Sequence, residues 1–144
     1  MAFRGAFDYT LDAKNRLTVP AKFRAALSEG MVLARGIDPC VAIWRPGEYD
    51  RYFEDSLRGV NPMSSKHRQL ERFLLSNSFE SELDSAGRVN MPAKLMEYAR
   101  MSKDVVVAGA GNRIEVWDRV AWSSYDADVT AEISDIAESL GHPG

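Results

Sequence analysis

The stretch LDAKNRLTVPAKF, Leu11 to Phe23, returns as LDSAGRVNMPAKL, Leu83 to Leu95. Asp12 and Asp84, Arg16 and Arg88, Pro20 and Pro92, and Lys22 and Lys94 all stand 72 residues apart. A repeat this long in a chain of 144 residues constrains the fold more than any composition does. Phe7 and Phe79 keep the same offset. Further on the offset becomes 73, matching VLARG (Val32 to Gly36) with VVVAG (Val105 to Gly109) and AIW (Ala42 to Trp44) with EVW (Glu115 to Trp117). On this alignment one residue is inserted between helix and strand, and Tyr49 and Tyr52 correspond to Trp122 and Tyr125. A unit of about 45 residues is marginal alone. Each is therefore expected to complete its core against the other, in a pseudo-twofold, β-rich α+β module.

Within a unit, residues 7–11 alternate apolar and polar, as a half-buried strand does, and LTV after Arg16 makes a second strand. Between them lie DAKN and DSAG. Asp at the first turn position accepts backbone hydrogens two residues on. Asn15 and Gly87 share the fourth slot, where the residue types that best tolerate a left-handed backbone are needed. The pattern predicts a tight hairpin with Asp12, Asn15, Asp84 and Gly87 as its structural residues. A short helix follows each proline, with Phe23 and Leu27, or Leu95 and Ala99, on its apolar side. MVLA, CVAIW, VVVAG and RIEVW read as strands. Residues 46–77 read as two helical pieces split at RGVNP, and the tail carries Val129, Ile133, Ile136, Ala137 and Leu140 at helical spacing before a closing GHPG expected to fray. The expected boundaries are 5–47 and 76–119 for the two units, 48–75 for a helical linker and 120–144 for an acidic helical tail.

Several chemistries lack their residues. His67 and His142 are far apart and Cys40 is the one cysteine, so neither a metal site nor a disulfide framework is expected. GAGNR, from Gly109 to Arg113, lacks the lysine and hydroxyl of a phosphate loop. No cofactor is expected. No long apolar run suggests a leader or a membrane span, and the expected location is the cytoplasm. One enzymatic reading stays open: pseudo-symmetry could bring Asp12 and Asp84 together as a dyad sharing one proton. The competing reading, a turn-capping aspartate, accounts for the spacing and the Asn or Gly together.

The formal net charge is −3, but it is unevenly spread. From Asp12 to Arg24 the balance is +3, through Lys14, Arg16, Lys22 and Arg24. From Asp84 to Arg100 it is +1, and from Asp118 to Gly144 it is −5. An acidic tail thus masks a basic face. An arginine after a rigid turn, with a lysine beside a helix start, suits phosphates and guanine edges. The candidate DNA-binding residues are Arg16, Lys14, Lys22, Arg24, Arg88 and Lys94.

The doubled Asp-x-x-x-Arg signature, with RFLLSNSFESELDSAGR between the units, resembles the MraZ family of bacterial transcriptional regulators. The resemblance runs from FRGAFDYTLD at Phe3 to IEVWD at Ile114, and each unit looks like a SpoVT-AbrB DNA-binding domain. It implies two interleaved swapped-hairpin units forming one module. It implies a homo-oligomeric ring that binds double-stranded DNA at promoter direct repeats upstream of its own operon, the division and cell-wall gene cluster. The action implied is mainly repression, in the cytoplasm at the nucleoid, with the DNA-contacting arginine at Arg16 and its counterpart at Arg88. Asn15 departs from the glycine commoner in the motif, and the acidic segment after Trp117 lies outside it.

Overall fold

The computed structural model describes residues 2–141; His142 and the rest of the closing GHPG beyond Gly141 lie outside the described residues. The first unit supplies β1 (Ala6–Thr10), β2 (Arg16–Thr18), α1 (Ala21–Arg24), β3 (Met31–Arg35) and β4 (Val41–Trp44). Helices α2 (Pro46–Leu57) and α3 (Ser65–Ser76) follow. The second unit repeats the order as β5 (Phe79–Ser81), β6 (Arg88–Asn90), α4 (Ala93–Tyr98), β7 (Asp104–Gly109) and β8 (Arg113–Asp118), and α5 (Arg119–Ser139) ends it. The fold is α+β, with an antiparallel six-stranded sheet in the order β1-β7-β8-β4-β3-β5 and a separate β2-β6 ribbon.

The two units are interleaved. The expected β1-β2 hairpin exists only as a turn, where the Asp12 N–H donates to the Arg16 carbonyl at 3.1 Å. Beyond it the strands part: β1 pairs with β7 and β2 with β6, each from the other unit. β5 likewise adds to β3. A twofold pseudo-axis passes through two cross-strand pairs, Leu17 opposite Val89 and Ala42 opposite Glu115. Val41 opposite Val116 exchanges with Ile43 opposite Ile114 about the same axis.

The pairings correct the alignment of the third strands. Phe7 sits opposite Val107, whereas Phe79 sits opposite Leu33, so β3 and β7 correspond at an offset of 74 and not 73. Two residues enter before β7 and one is lost in the turn before β8. The core agrees: Met31 and Leu33, with Val105 and Val107, point into the main cluster with Leu17, Val89, Phe23 and Leu95. That core lies between the ribbon and the sheet. Both faces of β3 and β7 are buried, so their composition gave no alternation to fix register.

On the sheet's other face, Val32, Ala34, Ala42 and Trp44 pack with Tyr49 of α2. The aromatic correspondence holds in space. Trp44 stacks on Tyr52 at 4.6 Å, and Trp117 meets Tyr125 at 4.7 Å. The edge contacts of Trp44 with Tyr49 and of Trp117 with Trp122 also match, at 5.6 and 5.5 Å. α5 is thus the counterpart of α2 and belongs to the repeat. It differs in running on unbroken, where the first unit turns back at RGVNP into α3. Its apolar stripe stays open: Ile133 is 51% and Leu140 78% exposed. No described helix is long and apolar enough to cross a membrane.

Candidate nucleic-acid interface

Each turn is built around its aspartate. Asp12 Oδ1 accepts the N–H groups of Lys14 and Arg16, both at 2.9 Å, and Oδ2 accepts Arg16 Nε at 2.7 Å. Asp84 repeats this with Ala86, Arg88 and Arg88 Nε, each at 2.9 Å. Asn15 and Gly87 take the left-handed conformation, at φ 58° and 76°. The Arg16 backbone N–H above all draws the Asp12 carboxyl down to about 2, helped by the Arg16 guanidinium and the Lys14 N–H. The Arg88 backbone N–H likewise lowers Asp84.

This geometry speaks against a shared-proton dyad. Arg88 stands between the carboxylates, with Nε on Asp84 Oδ2 and a terminal nitrogen 3.9 Å from Asp12 Oδ2. A dyad would raise one member; both are lowered.

Each unit also holds the other's turn. The Val19 N–H donates to the Gly87 carbonyl and the Met91 N–H to the Asn15 carbonyl, both at 2.9 Å, lengthening the ribbon at each end. Leu17 and Val89 are buried. By the period of two, Arg16, Thr18, Arg88 and Asn90 occupy the ribbon's opposite, outward side, with Arg16 opposite Asn90 and Thr18 opposite Arg88. Arg16 and Arg88 each spend Nε on their own aspartate, and both side chains stay part-exposed, at 28% and 33%. Lys14, Arg16, Arg88 and Asn90 line one shallow depression with Ser81, Glu82 and Asp84.

The other sequence candidates lie outside this depression. Arg24 donates from Nε to the Val19 carbonyl at 2.9 Å and lies across Gly87, where a Cβ would come within 2.5 Å of it. Lys22 lies over the Phe7 and Phe23 rings, at 5.1 and 5.6 Å, in a separate depression beside Arg4 and Arg45. Lys94 is exposed at the start of α4. The helices beside these lysines are short, four residues in α1 and six in α4, so their peptide dipoles add little, and Pro20 and Pro92 cap them without a side-chain bond.

Three further residues belong to this surface. Thr18 and Asn90 could have been found from the alternation of β2 and β6. Lys103 carried no motif: it comes from the loop before β7, and its ammonium donates to the Asp12 carbonyl at 3.0 Å and to Asn15 Oδ1.

The family model described as "MraZ protein, putative antitoxin-like" matches residues 2–72 and 74–140, one match per repeat. A protein of Natranaerobius thermophilus named "Transcriptional regulator MraZ" is 38% identical over 138 residues, 96% of each chain. Proteins of the same name from Alkaliphilus oremlandii and Desulfitobacterium hafniense are 36% and 37% identical over 99% of each chain. The second match includes α5, in agreement with its place as the counterpart of α2. With its doubled turn, interleaved strands and full-length similarity to these regulators, the chain belongs to the MraZ family.

Proposed function

We infer that this chain is a sequence-specific, DNA-binding transcription regulator and not an enzyme, and that it meets double-stranded DNA with the outer side of the β2-β6 ribbon and its two turns. The observation that carries this reading is the pair of guanidinium groups, Arg16 and Arg88, each braced by a carboxylate on a ribbon that needs both units. The major groove, about 12 Å wide, admits a two-stranded ribbon. Arginine there reads guanine O6 and N7, while Lys14 and Lys94 supply phosphate contacts and Lys22 and Arg24 extend the basic surface. Regulation by the named relatives supports the assignment. The finer reading is a nucleoid-associated repressor at the promoter of its own division and cell-wall operon, assembled as a homo-oligomeric ring on direct repeats. Repeated boxes would engage several modules at once and raise avidity. The exposed α5 stripe supports self-association.

The test is a titration of Arg16→Ala, alongside wild type, on DNA from upstream of the chain's own gene, at several salt concentrations. If Arg16 meets phosphate, the slope of log affinity against log salt shrinks by about 0.9 for each phosphate no longer neutralised. If it reads guanine, roughly five- to 150-fold of discrimination disappears on the cognate sequence alone. A variant that melts like wild type and binds like wild type would remove the ribbon from the interface.

A further inference from the structure

The two turns are pseudo-equivalent in backbone but present different chemistry. At the first, the left-handed position carries a side chain, Asn15, and Lys103 of the other unit holds its oxygen. An ammonium has only donors, so it must face Oδ1 and not the amide nitrogen. Lys103 thereby leaves the NH₂ as the unheld edge of the Asn15 amide, while its second bond, to the Asp12 carbonyl, fixes the ammonium in place. At the second turn the same position is Gly87, which offers no side chain, and Arg24 of the first unit lies over it. Arg24 spends Nε on the Val19 carbonyl, which leaves its terminal nitrogens to meet another group. The pseudo-symmetric partner of Arg24 is Met96, which packs against the core. The partner of Lys103 at the offset of the flanking strand is Glu29, an acid. The asymmetry is therefore built from three separate positions.

We propose that the module reads DNA with a direction: the first turn through the amide of Asn15, oriented by Lys103, and the second through Arg24 laid over Gly87. This rests on the DNA-binding reading above and adds to it which group each half of a site meets. The unheld NH₂ takes an acceptor, such as a phosphate oxygen, guanine O6 or N7, or thymine O4. An arginine takes guanine O6 and N7 together or a phosphate. Arg16 and Arg88, related by the pseudo-axis, would read the symmetric part of the site. The turns would break its symmetry, so that a module could sit on a non-palindromic box in one orientation only. Thr18 and Asn90, unlike each other at related positions of the ribbon, act in the same sense.

Selection from a pool of duplexes with a randomised centre tests this and requires no operator sequence. Wild type, Asn15→Gly, Asn15→Asp and Lys103→Met are carried through in parallel. Asn15→Gly suits the left-handed backbone, and Asn15→Asp keeps the acceptor for Lys103 while removing the unheld donor, so neither threatens the turn. The expected result is a non-palindromic wild-type consensus. Both Asn15 variants and Lys103→Met should lose preference at positions in one half, with affinity for the wild-type consensus down about tenfold, the size of one directional contact. Arg24→Met should change the opposite half. Identical consensus sequences from wild type and both Asn15 variants, or a palindromic one from wild type, would overturn the proposal and leave DNA binding standing. A pool from which wild type enriches nothing would overturn the DNA-binding reading and this proposal with it.

Discussion

Leu17 is the residue on which the ribbon depends, and Leu17→Ala puts a number on that. Its side chain is fully buried beneath the ribbon, opposite Val89 on the pseudo-axis. Truncation removes three carbons, about 2.4 kcal/mol of transfer free energy at about 0.8 per carbon. The cavity adds to this, because the site is closed by strands of only three residues and backed by Phe23 and Leu95, which cannot all move inward. A loss of about 3–4 kcal/mol is expected, within the range of measured Leu→Ala series. That is about a fifth or more of the roughly 5–15 kcal/mol that holds a domain folded. Val89→Ala removes two carbons from the same layer and should cost about 2 kcal/mol. As the two side chains are in direct register, the double variant should depart from additivity by at least about 0.5 kcal/mol. Urea unfolding followed by circular dichroism, at unchanged m-value, gives all three numbers. A Leu17→Ala loss below about 1 kcal/mol would refute the argument that the axis pair clamps ribbon to core.

Fragments 1–60 and 76–144, expressed separately, should show no cooperative unfolding, since alone they keep only the β3-β4 or the β7-β8 hairpin; a sharp urea transition in either would contradict the interleaving. Acid should weaken the turns in a defined window. Both aspartates have folded values below the ordinary 3.8, so their stabilisation is complete above that pH and is lost as pH falls through the folded value, about 2 for Asp12. Wild type should therefore lose more stability between pH 5 and 2 than an Asp12→Asn/Asp84→Asn double variant, and parallel acid profiles would count against the caps. Cys40 is fully buried and burial pushes its thiol up, so a thiol reagent at pH 8 should label it only as fast as the chain opens; rapid labelling of the native protein would deny the packing at β4.

What could be read in advance was whatever depends on neighbours in sequence. The Asp cap, the left-handed slot at Asn15 and Gly87, and the order of elements are local, and local hydrogen bonding decides them. The aromatic positions around Trp44 and Trp117 were legible because the repeat preserves them. Strand partnership came through the family resemblance alone, which implies interleaved units: nothing in FDYTL itself distinguishes pairing with β2 from pairing with a strand near residue 105. Register failed at VLARG against VVVAG because a strand buried on both faces has no polar side to orient it. Lys103 was invisible for a third reason, since a single lysine acquires meaning only when the fold sets it beside Asn15. Composition alone likewise did not show that α5 repeats α2, as its acidic second half disguises the shared aromatic start.

Duplication explains why the repeat and the interface cannot be separated. One unit contributes one strand of the ribbon, and a lone strand has neither its hydrogen-bond partner nor a buried side opposite its arginine. The second copy supplies both, and it also brings the backbone N–H that ties each turn into the ribbon, Met91 for the first and Val19 for the second. Once the copies are fused in one chain, their positions need no longer agree. Asp12, Arg16, Asp84 and Arg88 remain matched because each pair builds a turn from its own residues. Asn15 against Gly87, Thr18 against Asn90 and Arg24 against Met96 have diverged, and these lie where one unit meets the other or faces outward. The turn residues stay matched because each turn needs the same cap, whereas the core between the units needs only apolar partners that fit, as Leu17 against Val89 and Phe23 against Leu95. Residues that face a ligand are free to differ, and their differences are where selectivity between the two halves of a DNA site can reside.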